Sequence, residues 1–551
     1  MNKFFITCFI PIVIFSCRNS DANNAETTET FLSQDSHAAL TNLTLDSSII
    51  EKFIGEQKID KVVAEKIRSF YSNRNYQYAW FNEDGVAEQA HVFWDLHNQY
   101  INYSQDSSFF DKQLHHQMDF ILSEEESDWN LSENEIANLE LEMTAHFFDF
   151  AKTRYTGKLN PNDVQWNIPA RKIDAVGLLD SLVSTKGENL EEWEPLHKQY
   201  RLMKKQVLRY HELEKNKNWK SEISSDKKVL RKGDTAVVIT EIRKKLEALG
   251  DLQPETYSEV FDSQFEQAVI HFQKRHGVNQ DGVIGPVFFK LINVPLEERI
   301  QQLLINMERM RWLPEPGEGT RIVANIPGFT MHVYEGEKEI FTTDIVVGKA
   351  GTRTVIFNDK LEYVVFSPYW NIPRSITRNE ILPAMNRDPN YLSKNNMEIT
   401  GRNNGLPVIR QKPGPNNSLG KVKFIFPNRY SIYFHDTPAK SLFERDQRAF
   451  SHGCIRVKEP HKLASYLLQN FPSWNDSVIR GAMNSGSEKW VKLDNPVPVL
   501  IRYFTAWVDE DGKLNFRNDI YGHDKKMISQ LFSHTTILTI ISLLPGAQFL
   551  H

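Results

Sequence analysis

Apolar residues recur at helical spacing through the first half of the chain and at alternating spacing through much of the second. Between Ile49 and Asp226 the stretch Ile59 to Phe70 is representative, putting Ile59, Val62, Val63, Ile67 and Phe70 on one helical face. This pattern predicts a helical scaffold domain over residues 49–226. Nothing in it has catalytic spacing, and Trp80, Trp94, His115 and His116 are expected as core and surface groups, not as ligands. From Val229 to Val294 the pattern predicts a compact three-helix unit, residues 229–294. Ile239, Ile242, Leu246 and Leu249 share one face ahead of a stop at Gly250. Ser263 and Glu266 read as a capping box before Phe265, Ala268, Val269 and Phe272, and Gly285-Pro286 opens the third helix.

After a helical connector over 295–319, short β-rich runs take over. Arg321 to Ile326, Phe329 to Glu335 and Glu339 to Val347 are separated by the turn signals Pro327-Gly328 and Glu335-Gly336-Glu337. Lys421 to Phe426 and Arg429 to Phe434 are expected as a hairpin about Pro427-Asn428, and a further pair flanks Asp509 to Gly512. One helix is expected at about Pro460 to Asn470. Residues 320–508 therefore form a predominantly β domain, followed by a C-terminal strand and tail over 509–527. Residues 528–551 are an apolar extension of unknown role, whose run Ile537 to Leu544 is too short to span a bilayer. The fold class is multidomain α+β.

Composition narrows the partners. The 551 residues carry a net charge of −6, with 65 Lys and Arg against 71 Asp and Glu, so no basic field favours nucleic acid. At the amino terminus the apolar run Phe4 to Phe15 has the length of a secretory h-region. It ends in Ile14-Phe15-Ser16-Cys17, which resembles a bacterial lipoprotein box, with Phe15 a departure from the small residue usual there. Residues 1–17 are thus expected as a lipoprotein-type signal, Cys17 as the lipidation site and 18–48 as a solvated tether. From these features the protein is expected to be exported to the cell envelope or periplasm as a membrane-anchored lipoprotein.

Of three cysteines, Cys8 falls in the signal and Cys17 at the anchor, which leaves Cys454 unpaired in an oxidising compartment. Its neighbours give it a use. A thiol attacks a carbonyl as thiolate and needs a base within reach, and the resulting imidazolium can then protonate a departing amine. His435, nineteen residues earlier at the end of an expected strand, is the candidate base. Gly453 permits backbone geometry that aims N–H groups at an oxyanion, and Arg456 can anchor a carboxylate or brace the loop. With Cys17 taken by lipid, no second cysteine and no HExxH spacing favours a metal, so neither a metal nor a cofactor is expected.

His435, then Ser451-His452-Gly453-Cys454-Ile455-Arg456, resembles the L,D-transpeptidase family with its YkuD-type catalytic domain. Phe366 to Pro373, Leu419 to Pro427 and His435 to Pro438 resemble its large, multidomain YcbB-like branch. Leu230 to Gly233, Ala268 to Gln273 and His276 to Gly285 resemble the type 1 peptidoglycan-binding domain. The resemblance implies Cys454 as nucleophile, His435 as base and then acid, and the Asp436 carbonyl as the group orienting the imidazole. Ser451 and His452 are implied to shape the loop and oxyanion site. Tyr369, Trp370 and Asn371, with the loop from about Arg410 to Gly420, are implied to form part of a lid over the substrate groove. The implied reaction is attack on a tetrapeptide stem between the L-centre of the diamino acid and D-Ala, followed by transfer to an amine of a neighbouring stem in a 3-3 crosslink. Peptidoglycan is then donor and acceptor, with cell-wall synthases as possible partners. An L,D-carboxypeptidase and a non-enzymatic wall-tethering lipoprotein are the alternatives. Papain-like and NlpC/P60-like peptidases place Cys before His, opposite to the order here.

Overall fold

The computed structural model describes residues 41–532 apart from 124–130, 170, 189–195, 217–218, 220–221, 255–256 and 316. The expected signal, Cys17, most of the tether and residues 533–551 lie outside the described residues. The tether ends earlier than its composition suggests. Leu45 is buried, Thr44 bridges to Gln77, and Asp46 caps the helix Ser47–Glu56 by accepting from the Ser48 N–H at 2.7 Å.

The helical domain is built from Ser47–Glu56, Lys61–Asn73, Glu88–Ser104, Lys112–Ser123, Glu133–Thr156, Ala175–Ser184 and Lys198–Lys215. In the second of these, Asp60 is the N-cap, so Ile59 precedes the helix and the buried face is Val63, Ala64, Ile67, Phe70 and Tyr71. Val62, expected on that face, is 59% exposed. Trp80, Trp94 and His115 are core residues and His116 is exposed. The buried Glu140 ties helices to a loop, accepting from Ala79 N at 2.6 Å, Trp80 N at 2.9 Å and the Tyr71 hydroxyl at 2.7 Å. Burial raises its carboxyl to about 7.

Helices Val237–Leu249, Ser263–Arg275 and Pro286–Ile292 enclose a separate core of Ile239, Ile242, Leu246, Phe265, Val269, Phe272 and Phe288. The second is capped by Asp262, not Ser263: its carboxylate accepts from Phe265 N at 2.9 Å and pairs with Arg243 at 2.6 Å. An ionised oxygen there outcompetes the adjacent hydroxyl. This bundle docks on the C-terminal region through polar contacts, with Lys513 donating to Gly250 O and Arg517 to Arg275 O. The following helix, Leu296–Met310, joins the core of the helical and β parts.

The β domain is a sheet that closes on itself. Val422–Ile425 pairs with Phe434–His435 on one side and with Ile356–Phe366 on the other, and the path between runs through Ile455–Val457, Lys338–Gly348, Thr330–Glu335, Thr320–Asn325 and Lys489–Arg502. Inward-facing Ile322, Met331, Val333, Ile345, Val364, Val422, Phe424 and Val499 fill it. The two-residue strand Trp166–Asn167 of the helical domain pairs in parallel with Ile356–Phe357, so the two domains share one sheet and one core. The hairpin expected about Pro427-Asn428 is a wider loop, because strand pairing begins only at Phe434. Asn428 organises it, donating to Phe426 O and Ile432 O and accepting from Tyr430 N. The pair about Asp509 to Gly512 forms as Ala506–Val508 with Leu514–Phe516.

The C-terminal boundary needs correcting. Residues His523–Leu531 are a helix that crosses the expected break at 527, and Ile528, Leu531 and Phe532 pack against the main core. Removing residues from Ile528 onward is therefore expected to lower stability by about 1–3 kcal/mol relative to a chain ending at Phe532. Urea midpoints of the two truncated chains check this; equal midpoints would show that these contacts contribute nothing.

Candidate active site

The parallel pairing of Phe434–His435 with Ile455–Val457 sets His435 opposite Arg456 and Phe434 opposite Ile455. Ile455 N donates to Tyr433 O at 3.1 Å, which brings Tyr433 alongside Cys454. Alternation sends Phe434, Ile455 and Val457 into the core and leaves Tyr433, His435, Cys454 and Arg456 together on the other face. Lys423, opposite His435, continues this polar row.

His435 is buried, and its Nδ1 lies 2.5 Å from Asp436 O. A carbonyl only accepts, so Nδ1 carries the proton and Nε2 is left as the basic nitrogen. Burial, with the Arg456 charge beside it, drives the imidazole down to about 3. Cys454 is half-buried and its thiol donates to Ser431 O at 3.6 Å. Burial pushes the thiol above its ordinary value, while hydrogen bonds from the Tyr433 N–H and hydroxyl and the Arg456 charge pull the other way. Burial therefore disfavours the charged form of both the thiol and the imidazole.

The turn 451–454 is held from within and from behind. Ser451 is buried, and its hydroxyl donates to Cys454 O at 2.5 Å and accepts from Gly453 N at 3.2 Å. Gly453 has φ +112°, a conformation that side chains with a Cβ rarely adopt. The Cys454 N–H donates to no group among the described residues and remains available to an oxyanion. His452 points elsewhere: its Nε2 lies 2.8 Å from the Glu380 carboxylate.

Glu380 belongs to an inserted subdomain over residues 367–420. Trp370–Asn371 pairs with Arg410–Gln411, which pairs in turn with Met397–Asn403, and Ile372, Ile376, Ile381 and Ile409 form a small core with Trp370 packed against it. Tyr369 N donates to Glu488 at 2.9 Å, and the Arg410 guanidinium lies 4.2 Å from the centre of the Tyr369 ring. In the loop 412–420 the buried Asn417 amide donates to Pro368 O and Lys412 O. Asp436 pins the far end: its carboxylate accepts from Lys421 N at 2.9 Å and Lys440 Nζ at 2.6 Å.

Residues 319–496 match the family model of the YkuD L,D-transpeptidase catalytic domain. This segment is similar to L,D-transpeptidase catalytic domains. Residues 65–207 match a family described as a scaffold domain, and 237–292 match a "Putative peptidoglycan binding domain". A protein of Haemophilus influenzae named "Putative L,D-transpeptidase" is 33% identical over 243 residues, which are 41% of this chain and 49% of that protein. The chain therefore spans about half the length of that curated relative. Solved L,D-transpeptidases of Xylanimonas cellulosilytica and Mycobacterium tuberculosis are each 14% identical. The first covers 51% of this chain and 100% of its own, the second 34% and 62%, and TM-scores of 0.18 and 0.17 are too low to bear on the fold.

Within the matched segment Cys454, His435, Asp436, Ser451, Gly453 and Arg456 come together in one place. Tyr369, Trp370 and Asn371 sit in the inserted subdomain, which reaches the site through Glu380 and His452. Tyr433, Glu380 and the side-chain role of Asp436 escaped the sequence reading. Strand alternation carried a signal for Tyr433, two residues before His435 and hence on its face. Among the described residues no group of three or more His, Cys, Asp and Glu is placed to hold a metal ion.

Proposed function

We propose that the chain is a peptidoglycan L,D-transpeptidase that acts through a Cys454 thioester. The observation that carries this reading is the shared face of Cys454 and His435, with the His435 Nδ1 proton engaged by Asp436 O and Nε2 left free. Cys454 Sγ attacks the carbonyl between the L-centre of the diamino acid and the terminal D-Ala. The C–S bond forms, the C–N bond breaks, and the thiol proton travels through His435 to the D-Ala amine. A neighbouring stem's amine then attacks the thioester, forming a C–N bond and a 3-3 crosslink, and returns a proton through His435 to sulfur. The Cys454 N–H and Arg456 face the charge that develops. The separate three-helix bundle would hold the wall during this exchange, and lipidation at Cys17 would anchor the enzyme in the envelope.

Incubating purified protein with disaccharide tetrapeptide and analysing products by mass spectrometry tests the proposal. Loss of D-Ala with 3-3 dimers is expected. Tripeptide products without dimers would instead establish an L,D-carboxypeptidase, and unchanged substrate would favour a wall tether.

A further inference from the structure

Tyr521 lies beyond the segment that matches the transpeptidase family, yet its hydroxyl reaches the loop behind the catalytic turn. It donates to Gly348 O at 2.5 Å and accepts from Thr354 N at 3.2 Å, closing the two ends of the loop 348–354. The loop is tight: a Cβ on Gly348 would sit 2.1 Å from Thr352 O. It in turn grips the catalytic turn. The Thr354 hydroxyl accepts from Gly348 N at 2.9 Å and donates to Gly453 O at 2.8 Å. Lys349 N and the Thr352 hydroxyl both donate to Ser451 O, at 3.0 Å and 2.9 Å.

The direction of these bonds has a chemical result. In a trans peptide the C=O and the following N–H point opposite ways, and no described peptide here is cis. With Ser451 O and Gly453 O both drawn back into the loop, the His452 and Cys454 N–H groups must point away from it. Neither donates to a group among the described residues.

Tyr521 is itself firmly seated. Its ring stacks on Tyr503 at 5.6 Å, and its N–H donates to the Tyr503 hydroxyl at 2.9 Å, which donates to Asp519 at 2.6 Å. Asp519 also accepts from His523 N and Asp524 N at 2.9 Å, and the Asp524 carboxylate pairs with Arg309 of the connector helix at 2.7 Å.

We propose that Tyr521 is a positioning residue for acyl transfer: by clasping the loop 348–354 it fixes the turn 451–454 in the form that presents the Cys454 N–H to the oxyanion. This rests on the reading of Cys454 as nucleophile.

Tyr521→Phe keeps the ring and removes only the clasp. Two rates at Cys454 separate its role from general stability. Acylation by a carbapenem forms an oxyanion as sulfur adds to the ring carbonyl, whereas alkylation by iodoacetamide displaces iodide at a saturated carbon and forms none. Acylation by Tyr521→Phe is expected to fall roughly 10- to 100-fold, with alkylation held within about twofold. Thr354→Val should show the same split, and Thr354→Ser, which retains the hydroxyl, should restore acylation. Should Tyr521→Phe fail to fold, the Thr354 pair decides alone. Equal losses in both rates, or no loss of acylation, would overturn the inference. A wild-type protein that alkylates but never acylates would overturn the reading of Cys454 itself, and this inference with it.

Discussion

Cys454→Ala is expected to abolish D-Ala release and dimer formation while binding to isolated sacculi survives, because the three-helix bundle keeps its own core and lies outside the sheet that carries the thiol. His435→Ala should lower the rate of D-Ala release by about 10² to 10⁴, the usual cost of losing a placed acid-base group. His452→Ala should be milder. Its ring is engaged with the Glu380 carboxylate at 2.8 Å, so its loss frees the inserted subdomain from the catalytic turn without removing the base. Initial rates of D-Ala release for the three variants provide the comparison. Full crosslinking by Cys454→Ala, or a His452→Ala defect far deeper than that of His435→Ala, would assign the nucleophile or the base to the wrong residue.

The second large effect is on stability in acid. His97 and His435 are driven down to about 3, and His146, His197 and His523 to about 4, chiefly by burial. In the unfolded chain each titrates near 6.5. Below that pH the unfolded state takes up protons that the folded state refuses, so the stability these groups contribute is complete above about 6.5 and drains as pH falls toward 3 to 4. Each such group is worth about 1.4 kcal/mol per pH unit inside that window. Glu140 works in the opposite sense. Raised to about 7, it is protonated in the fold before it is in the unfolded chain, so acidification to about 4.5 adds stability. Burial also raises Glu142, Asp149 and Asp524, but it lowers His115 and His276 as well, so the imidazoles still outnumber the opposing carboxyls. Urea midpoints are therefore expected to drop steeply between pH 7 and pH 5, and a His97→Phe variant that still folds should show a shallower slope. A midpoint independent of pH over that range would show that these imidazoles take up protons in the fold.

The candidate pair Cys454 and His435, which the fold sets on one face, stood out because its signals are local: a cysteine in a short distinctive turn and a histidine at the end of one strand. The three-helix unit was legible for the same reason, its periodicity and its Gly250 and Gly285-Pro286 punctuation lying within a few residues of each helix. What escaped depends on partners far away in the chain. Trp370 and Asn371 form a strand only because Arg410 and Gln411 return beside them, and four isoleucines spread from Ile372 to Ile409 close the core beneath. The Asp436 carboxylate gains its role from Lys421, and His452 meets Glu380, through folding alone. Elsewhere the cap falls one residue before the expected Ser263, because the Asp262 carboxylate is the stronger acceptor.

Trp166–Asn167 completes a sheet whose other strands are made much later in synthesis, its Asn167 amide reaching Ile356 O across 189 positions of sequence. During vectorial synthesis the helical half must wait with that strand and the face around Trp166 unpaired until the β half arrives. Such long-range closure is slow and exposes apolar surface meanwhile. The β half made without residues 41–215 would lack an edge strand and part of its shared core. A substitution that loosens the seam around Trp166 is therefore felt on both sides of it, by the helices and by the strand Ile356–Phe366 alike.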